Sequence, residues 1–303
     1  MKNASMTGAA MALAAAALWG TTGTAQSLAP ALASPYWVGA LRLVVASLFF
    51  AGFLWITQKR QLAALWMPRD SWRRVAIAGL CVAVYNLTFF AGVKAVGVAV
   101  GTAVAIGSGP VWAGALQAIF FRQTPTRAWW AGTLLAVAGG CLMVVPAAAP
   151  GNGGTGSTIG ATGIVLCLAA GLSYASYTLV SQRLVSEALP ATVTLWVFAV
   201  AAAIAVPAAF MASGPFASAL PGWTVVIYLG LVSTGVAYLL FSYALQRISA
   251  ATGVTLALAE PVVAFVLAML LLGERPTATA FAGLAFVLAG LVLVVWLESR
   301  RSR

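Results

Sequence analysis

Two ionisable residues, Arg42 and Glu260, lie inside long apolar segments of the sequence. A charged side chain near the centre of a bilayer costs about 2.5–3.5 kcal/mol even on the lower scales, so each needs a partner or a wet cavity. Two roles are open to the pair. As a salt bridge they would brace two helices. As a transport device, Arg42 would attract a substrate carboxylate while Glu260 bound an ammonium group or a coupling proton.

Two prolines, Pro110 and Pro261, also lie inside apolar runs of helical length, and they are 151 residues apart. Proline deletes one backbone hydrogen bond, so we expect the carbonyl groups of Ile106 and Ala257 to be freed. In hydrocarbon such groups need partners, and broken helices therefore usually line a cavity. We predict that both prolines act as hinges beside a cavity, the alternative being kinks satisfied by a neighbouring helix.

Aromatic and small polar residues share the middle of several apolar segments. Trp19 and Thr22 lie on one face of the first predicted helix, and Tyr174 and Tyr177 lie on the matching face of the sixth. An aromatic-lined pocket with few polar groups suits an amino acid with an apolar side chain, although packing alone explains each aromatic residue taken singly. The predicted substrate-binding set is Trp19, Thr22, Arg42, Tyr85, Asn86, Ser108, Trp112, Tyr174, Tyr177, Tyr238, Ser242 and Glu260.

The elements that position these residues must be membrane helices. With 62% hydrophobic and 7% charged residues among 303, the chain has too little polar surface for a soluble domain of this size. A crossing needs ~20 apolar residues. Ten segments approach that length, near residues 7–29, 35–57, 73–94, 97–121, 127–146, 161–181, 190–212, 221–246, 249–272 and 277–297.

The charges indicate topology. The sequence has 16 basic and 5 acidic residues, and the basic ones stand singly or in small groups between apolar segments rather than in a patch suited to nucleic acid. If the N-terminus is cytoplasmic, nearly all of them fall on the cytoplasmic side, as the positive-inside rule requires. We therefore predict that both termini are cytoplasmic. Lys2 and the apolar run after it imitate a signal peptide, but this segment has a later repeat partner, so we expect it to be retained.

An internal repeat organises the chain. At a shift of 151 residues the matching pairs are Trp72 with Trp223, Pro110 with Pro261, Gly132 with Gly283, and Gly139 with Gly290. Each half holds five predicted helices, and because five is odd the second half must enter the membrane inverted. The predicted fold is thus an all-α polytopic membrane protein with ten transmembrane helices in two inverted five-helix repeats. The repeats are residues 1–146 and 161–303, joined by a polar linker at 147–160.

Several function classes are disfavoured by the residues present. There is no histidine, and Cys81, Cys141 and Cys167 fall in apolar segments without ligand-like spacing, so we expect no metal site, no disulfide and no cofactor. Convergent catalytic groups are almost lacking, which argues against an enzyme. Pore-type charge rings are scarce, which argues against a channel. We therefore predict transport of a small molecule, and the oligomeric state is open.

The helix-with-central-proline pattern resembles the drug/metabolite transporter superfamily. The motifs that carry this resemblance are Glu260-Pro261-Val262, Gly273-Glu274-Arg275-Pro276 and, after Pro35, Leu41-Arg42-Leu43. The first half departs from the pattern, with Gly109 where Glu260 stands. The resemblance implies an exporter of amino acids in the bacterial inner membrane, most similar to exporters of aromatic amino acids. A broad exporter of drugs or other metabolites is the alternative.

Overall fold

The computed structural model describes residues 2–27, 34–58, 65–96, 98–144, 161–216, 220–271, 273 and 276–301, and these parts of the chain contain helices and no strands. The predicted linker at 147–160 lies outside them. The helices are α1 (Lys2–Ser27), α2 (Pro35–Thr57), α3 (Trp72–Val96), α4 (Val98–Phe121), α5 (Arg127–Val144), α6 (Ala161–Leu184), α7 (Pro190–Ser213), α8 (Leu220–Tyr228), α9 (Ala237–Leu245), α10 (Ala250–Leu256), α11 (Ala259–Leu271) and α12 (Ala278–Arg301).

Eight helical stretches of the described residues are long and apolar enough to cross a membrane. They are α2, α3 with the turn before it, α4, α6, α7, the stretch from α8 to α9, the stretch from α10 to α11, and α12. This confirms a helical, multi-pass membrane protein. The other two predicted spans, residues 7–29 and 127–146, are helical as α1 and α5. Their crossing of the membrane stays a prediction.

The two prolines have different effects on their helices. The helix around Pro261 is interrupted, because α10 ends at Leu256 and α11 starts at Ala259 after a turn. The Ala257 carbonyl, which Pro261 cannot serve, finds its partner within the chain, because it accepts a hydrogen bond of 2.9 Å from the backbone N–H of Glu260. The expected break at Pro110 is wrong, because α4 runs through this residue without interruption.

A π-helical segment, Leu229–Val236, joins α8 to α9. The sequence predicted one regular helix here. π-Helical turns are rare and frequently lie at functional sites. In this segment Gly230 and Gly235 are both buried against α2, where an added Cβ would meet Val45 and Phe49 respectively. The absence of two side chains thus allows the wider turn to pack closely on its neighbour.

Close contacts between small residues hold the bundle together. In α5 and α12, Gly132 meets Gly290 while Gly139 meets Gly283, so the two helices run antiparallel. A Cβ atom on Gly283 would lie 2.6 Å from the carbonyl oxygen of Gly139. The further packing pairs are α3 with α6, α2 with α7, α4 with α6, and α1 with both α9 and α11. Because lipid removes the hydrophobic drive between helices, such close backbone approach is a main source of their association.

Candidate functional site

Aromatic side chains from four helices meet in the interior of the bundle. We call Trp19, Tyr174, Tyr177, Phe198, Tyr238 and Phe241 the aromatic cluster. Trp19 is only 7% exposed, and its ring centroid lies 5.0 Å from that of Tyr238 and 5.2 Å from that of Phe241. Tyr238 in turn lies 4.7 Å from Phe198. These separations and tilted ring planes are typical of attractive aromatic pairs, so the cluster is a continuous packed unit.

Two members of the aromatic cluster carry buried polar atoms that have no hydrogen-bond partner. They are the indole nitrogen of Trp19 and the hydroxyl of Tyr174. The Trp112 indole nitrogen is likewise buried and unpartnered. Leaving such a group unsatisfied costs about 1–3 kcal/mol, so these atoms are available to a polar ligand at little further desolvation cost. These three groups are buried donors without an acceptor among the described residues.

Arg42 is held by an amide rather than by a carboxylate. Its Nη2 donates to Oδ1 of Asn86 at 2.9 Å, and the Asn86 Nδ2 donates to the Val82 carbonyl at 3.0 Å. Asn86 is 4% exposed, so its orientation is fixed by both hydrogen bonds. The Nε of Arg42 is buried and has no partner. The guanidinium thus has spare donor capacity.

Glu260 lies in the first turn of α11, directly after the helix break. The backbone of α1 approaches here, because a Cβ on Gly20 would lie 2.7 Å from the Glu260 carbonyl oxygen. Arg42 and Glu260, both described, form no direct ion pair within 4.0 Å. They do interact electrostatically with each other, and Tyr85 and Tyr238 each interact with both. A bracing salt bridge is therefore not formed in this conformation.

The other predicted site residues lie around this centre. Tyr85 packs on Tyr174 at 5.9 Å, and Ser242 lies close to Tyr177. The hydroxyls of Thr22 and Ser233 are 2.7 Å apart and share a hydrogen bond. The Ser108 hydroxyl donates to the Ala105 carbonyl of its own helix at 3.2 Å.

Several residues of the site escaped the sequence analysis. Phe241 could have been found, because it follows Tyr238 by three positions and shares its helix face. Ser233 could not, since its position depends on the π-helical segment. Two glutamines also escaped notice, although they fix α10: Gln182 Oε1 accepts from Ala250 N at 3.1 Å, and Gln117 Oε1 accepts from Ala251 N at 3.3 Å. They secure the helix that leads into the break before Glu260.

The described residues contain no group of three His, Cys, Asp or Glu side chains that could hold a metal ion. What they contain is a helical membrane bundle with a separated cation and carboxylate beside an aromatic cluster. Ionisable residues inside membrane helices are rare and commonly mark substrate or ion pathways, so this combination makes the region a candidate functional site.

The sequence profile of the EamA-like transporter family matches residues 6–145 and, a second time, residues 161–296. The chain belongs to this family, which confirms the resemblance to the drug/metabolite transporter superfamily.

Curated relatives agree with this membership. The chain is 34% identical to the uncharacterized transporter YwfM of Bacillus subtilis (strain 168), over 93% of this chain and 91% of that protein. It is 30% identical to the threonine/homoserine exporter RhtA of Escherichia coli (strain K12), over 95% of this chain and 92% of that protein. A solved crystal structure aligns with a TM-score of 0.80 at 20% identity, covering 98% of this chain and 99% of that chain, and this likeness concerns the fold.

Proposed function

We propose that the protein is a secondary transporter that exports amino acids across the bacterial inner membrane by alternating access around a midplane cavity. The observation that carries the proposal is that Arg42, bound to the Asn86 amide, forms no ion pair with Glu260, while the Trp19 indole nitrogen and the Tyr174 hydroxyl are buried without partners. A free amino acid has a carboxylate, an ammonium group and a side chain. Arg42, Glu260 and the aromatic cluster supply a complementary group for each of these three parts.

The proposed architecture is ten membrane helices in two inverted repeats, residues 1–146 and 161–303. The double match to one family profile supports the duplication. Helix packing supports the inversion. The start of α2 contacts the end of α7, and α5 runs antiparallel to α12, as equivalent helices of inverted repeats must. The repeat relates α3 to the stretch from α8 to α9, and α1 to α6. A contact between α3 and α6 therefore requires one between α9 and α1, and both contacts are present.

The proposed orientation places both termini in the cytoplasm. Arg69, Arg73, Arg122, Arg127, Arg183 and Arg247 stand at helix ends that this topology puts on one side of the membrane. The positive-inside rule makes that side cytoplasmic. The direction of transport, export, is proposed from the relative named as an exporter in Escherichia coli.

For the substrate we propose aromatic and other apolar amino acids, because rings from several helices surround the site. The name of the Escherichia coli relative adds threonine and homoserine as substrates to be tested. The experiment is uptake of labelled phenylalanine and of labelled threonine into proteoliposomes that contain the purified protein. Saturable uptake with mutual competition is expected, and an imposed pH gradient tests proton coupling. Failure of both substrates with folded protein would overturn the amino acid assignment.

The Glu260→Gln variant tests the role of the carboxylate. We expect uptake to fall about tenfold or more, because hydrogen bonds to charged groups contribute about 1.5–3 kcal/mol, while thermal unfolding changes little. Asp70→Asn is the matched control, since it removes one exposed carboxylate in the turn before α3, outside the aromatic cluster. Collapse of the Glu260→Gln variant on purification would instead indicate a structural role.

A second candidate function is export of drugs or other metabolites. One carboxylate next to tryptophan and tyrosine rings also fits an organic cation that lacks a carboxylate, through cation–π attraction. Competition distinguishes the two. If organic cations inhibit phenylalanine uptake as well as amino acids do, the broader specificity is favoured.

A further inference from the structure

The N-terminal end of α7 is fastened to the segment that leads into α3. The indole N–H of Trp196 donates to the Leu65 carbonyl at 2.7 Å. Its ring stacks on Trp66 at 5.3 Å and meets Trp72 edge-to-face at 4.9 Å. We call these four residues the first clamp. It joins residues of the first family match to residues of the second.

The C-terminal end of α7 is fastened to the start of α2 in a similar way. The indole N–H of Trp37 donates to the Gly214 carbonyl at 2.9 Å. The Trp37 ring lies edge-to-face with Phe216 at 5.7 Å, and Phe216 packs on Trp223 at 5.0 Å. We call these four residues the second clamp. Trp223 is the repeat partner of Trp72, so both clamps include the same repeated tryptophan position.

The two clamps lie at opposite ends of α7, which has 24 residues and is thus about 36 Å long. Each clamp contains an indole N–H that donates to a backbone carbonyl of the other half of the chain. In alternating access the halves separate at one membrane face while they stay closed at the other. Each clamp therefore has to open in one half of the cycle.

The two ends differ in charge. Next to the first clamp, Glu187 in the α6–α7 turn forms an ion pair with Arg74 of α3. The second oxygen of Glu187 accepts from the Ser71 hydroxyl at 2.6 Å, and Arg183 also attracts Glu187. Next to the second clamp, the corresponding link is the neutral contact of Ser34 with Ser213, 2.6 Å between hydroxyl oxygens. Among the described residues, one end is therefore closed by a charged contact and the other by uncharged groups.

We propose that Ser71, Arg74 and Glu187 form an electrostatic latch that holds the first clamp closed and biases the resting protein toward opening at the second clamp. The proposal rests on the alternating-access function proposed above. Because the ion pair is partly exposed, its loss should change the ratio of the two conformations by only about two- to fivefold. The same screening makes the bias weaken at high salt.

The test measures distances between spin labels in the full-length protein in nanodiscs, with the three native cysteines replaced by alanine. Labels at the exposed residues Gln123 and Ser186 report the latch end, and labels at Lys94 and Thr224 report the opposite end. In Glu187→Gln we expect the long-distance population at the latch end to grow about two- to fivefold and that at the opposite end to shrink. Asp70→Asn, which removes a carboxylate next to Ser71, should change neither.

Unchanged distance distributions in Glu187→Gln would overturn the proposal. If this variant does not fold, the double variant Arg74→Glu with Glu187→Arg replaces it. The reversed ion pair should restore the distance distribution of the parent protein, whereas neither single substitution should. These distances do not depend on any substrate. A protein that moves no amino acid but shows the expected shift would refute the proposed function and leave the latch standing, whereas active transport with no shift would refute the latch alone.

Discussion

Arg42 is a basic residue of a membrane helix whose hydrogen-bond partner is an uncharged amide. Its hydrogen bond to Asn86 satisfies one donor group but supplies no countercharge. A guanidinium has five N–H donors, and here the buried Nε stays unpartnered. Such an arrangement is expensive for a purely structural residue, because paired or apolar side chains would fill the same space at lower cost. We infer that the charge is kept for a ligand.

The Arg42→Gln variant examines this inference with two ligands. Glutamine keeps an N–H donor but ends two bonds short of the Arg42 Nη2, so both the charge and the hydrogen bond to Asn86 are lost. We expect phenylalanine to compete for transport about tenfold less well, because a charge-assisted bond to its carboxylate is removed. Phenethylamine, which is phenylalanine without the carboxylate, should compete equally in both proteins. Equal weakening of both ligands would instead show that Arg42 only shapes the site.

The contact between α5 and α12 is limited by the backbone. Gly139 and Gly283 approach so closely that a Cβ on Gly283 would lie 2.6 Å from the Gly139 oxygen and 2.7 Å from the Met143 nitrogen. Gly140, the next residue, has nothing within 4 Å of its Cβ position. Gly139 and Gly140 are adjacent in α5, yet a side chain would clash with α12 at Gly139 and would meet open space at Gly140.

Gly283→Ala should lower stability by about 1–3 kcal/mol, because neither backbone atom can yield without separating the helices. Gly140→Ala should be neutral or stabilising, since alanine is the better helix former by about 1 kcal/mol. The measurement is thermal unfolding of the purified variants in one detergent. A stable Gly283→Ala protein would mean that α5 and α12 can move apart freely.

The sequence predicted the helices and the internal repeat better than the details inside the helices. The glycine pairs Gly132 with Gly283 and Gly139 with Gly290 indicated equivalent helices, and the structure brings those helices together. The break before Glu260 was expected from Pro261, yet Pro110 leaves α4 continuous, so proline alone does not decide whether a helix is interrupted. The π-helical segment had no signal, because its wider turns depend on the packing of Gly230 and Gly235 against α2.

Long-range contacts of the site were predictable only in part. Helix-face periodicity placed Trp19 and Tyr174 inward, and both lie in the aromatic cluster. That periodicity could not show that Arg42 meets Asn86 rather than Glu260, because the partners are 44 residues apart and on different helices. Which side chain fills the space next to a buried charge depends on the packing of the whole bundle.

The complete bundle separates two carboxylates into different surroundings. Glu260 lies in an apolar helix next to the aromatic cluster, whereas Glu187 lies in a turn at one end of the bundle. The hydrogen bond from Ser71 and the charges of Arg74 and Arg183 lower the pKa of Glu187 below its ordinary value of 4.5. Because folding lowers this pKa, the ionised Glu187 carboxylate contributes to stability above pH 4.5. That stability is lost as the pH falls through the lowered pKa.

The latch carboxylate is therefore fully ionised near neutral pH, and a pH dependence of transport in that range must have another origin. We expect Glu187→Gln to change the rate of phenylalanine uptake but to leave the shape of its pH profile near neutral pH unaltered. If a proton is the coupling ion, Glu260→Gln should abolish the response to an imposed pH gradient, because Glu260 is the acidic residue inside the described apolar helices next to the site. A pH profile that flattens in Glu187→Gln and persists in Glu260→Gln would reverse these assignments, and the coupling would then have to be sought at the end of the bundle rather than at its centre.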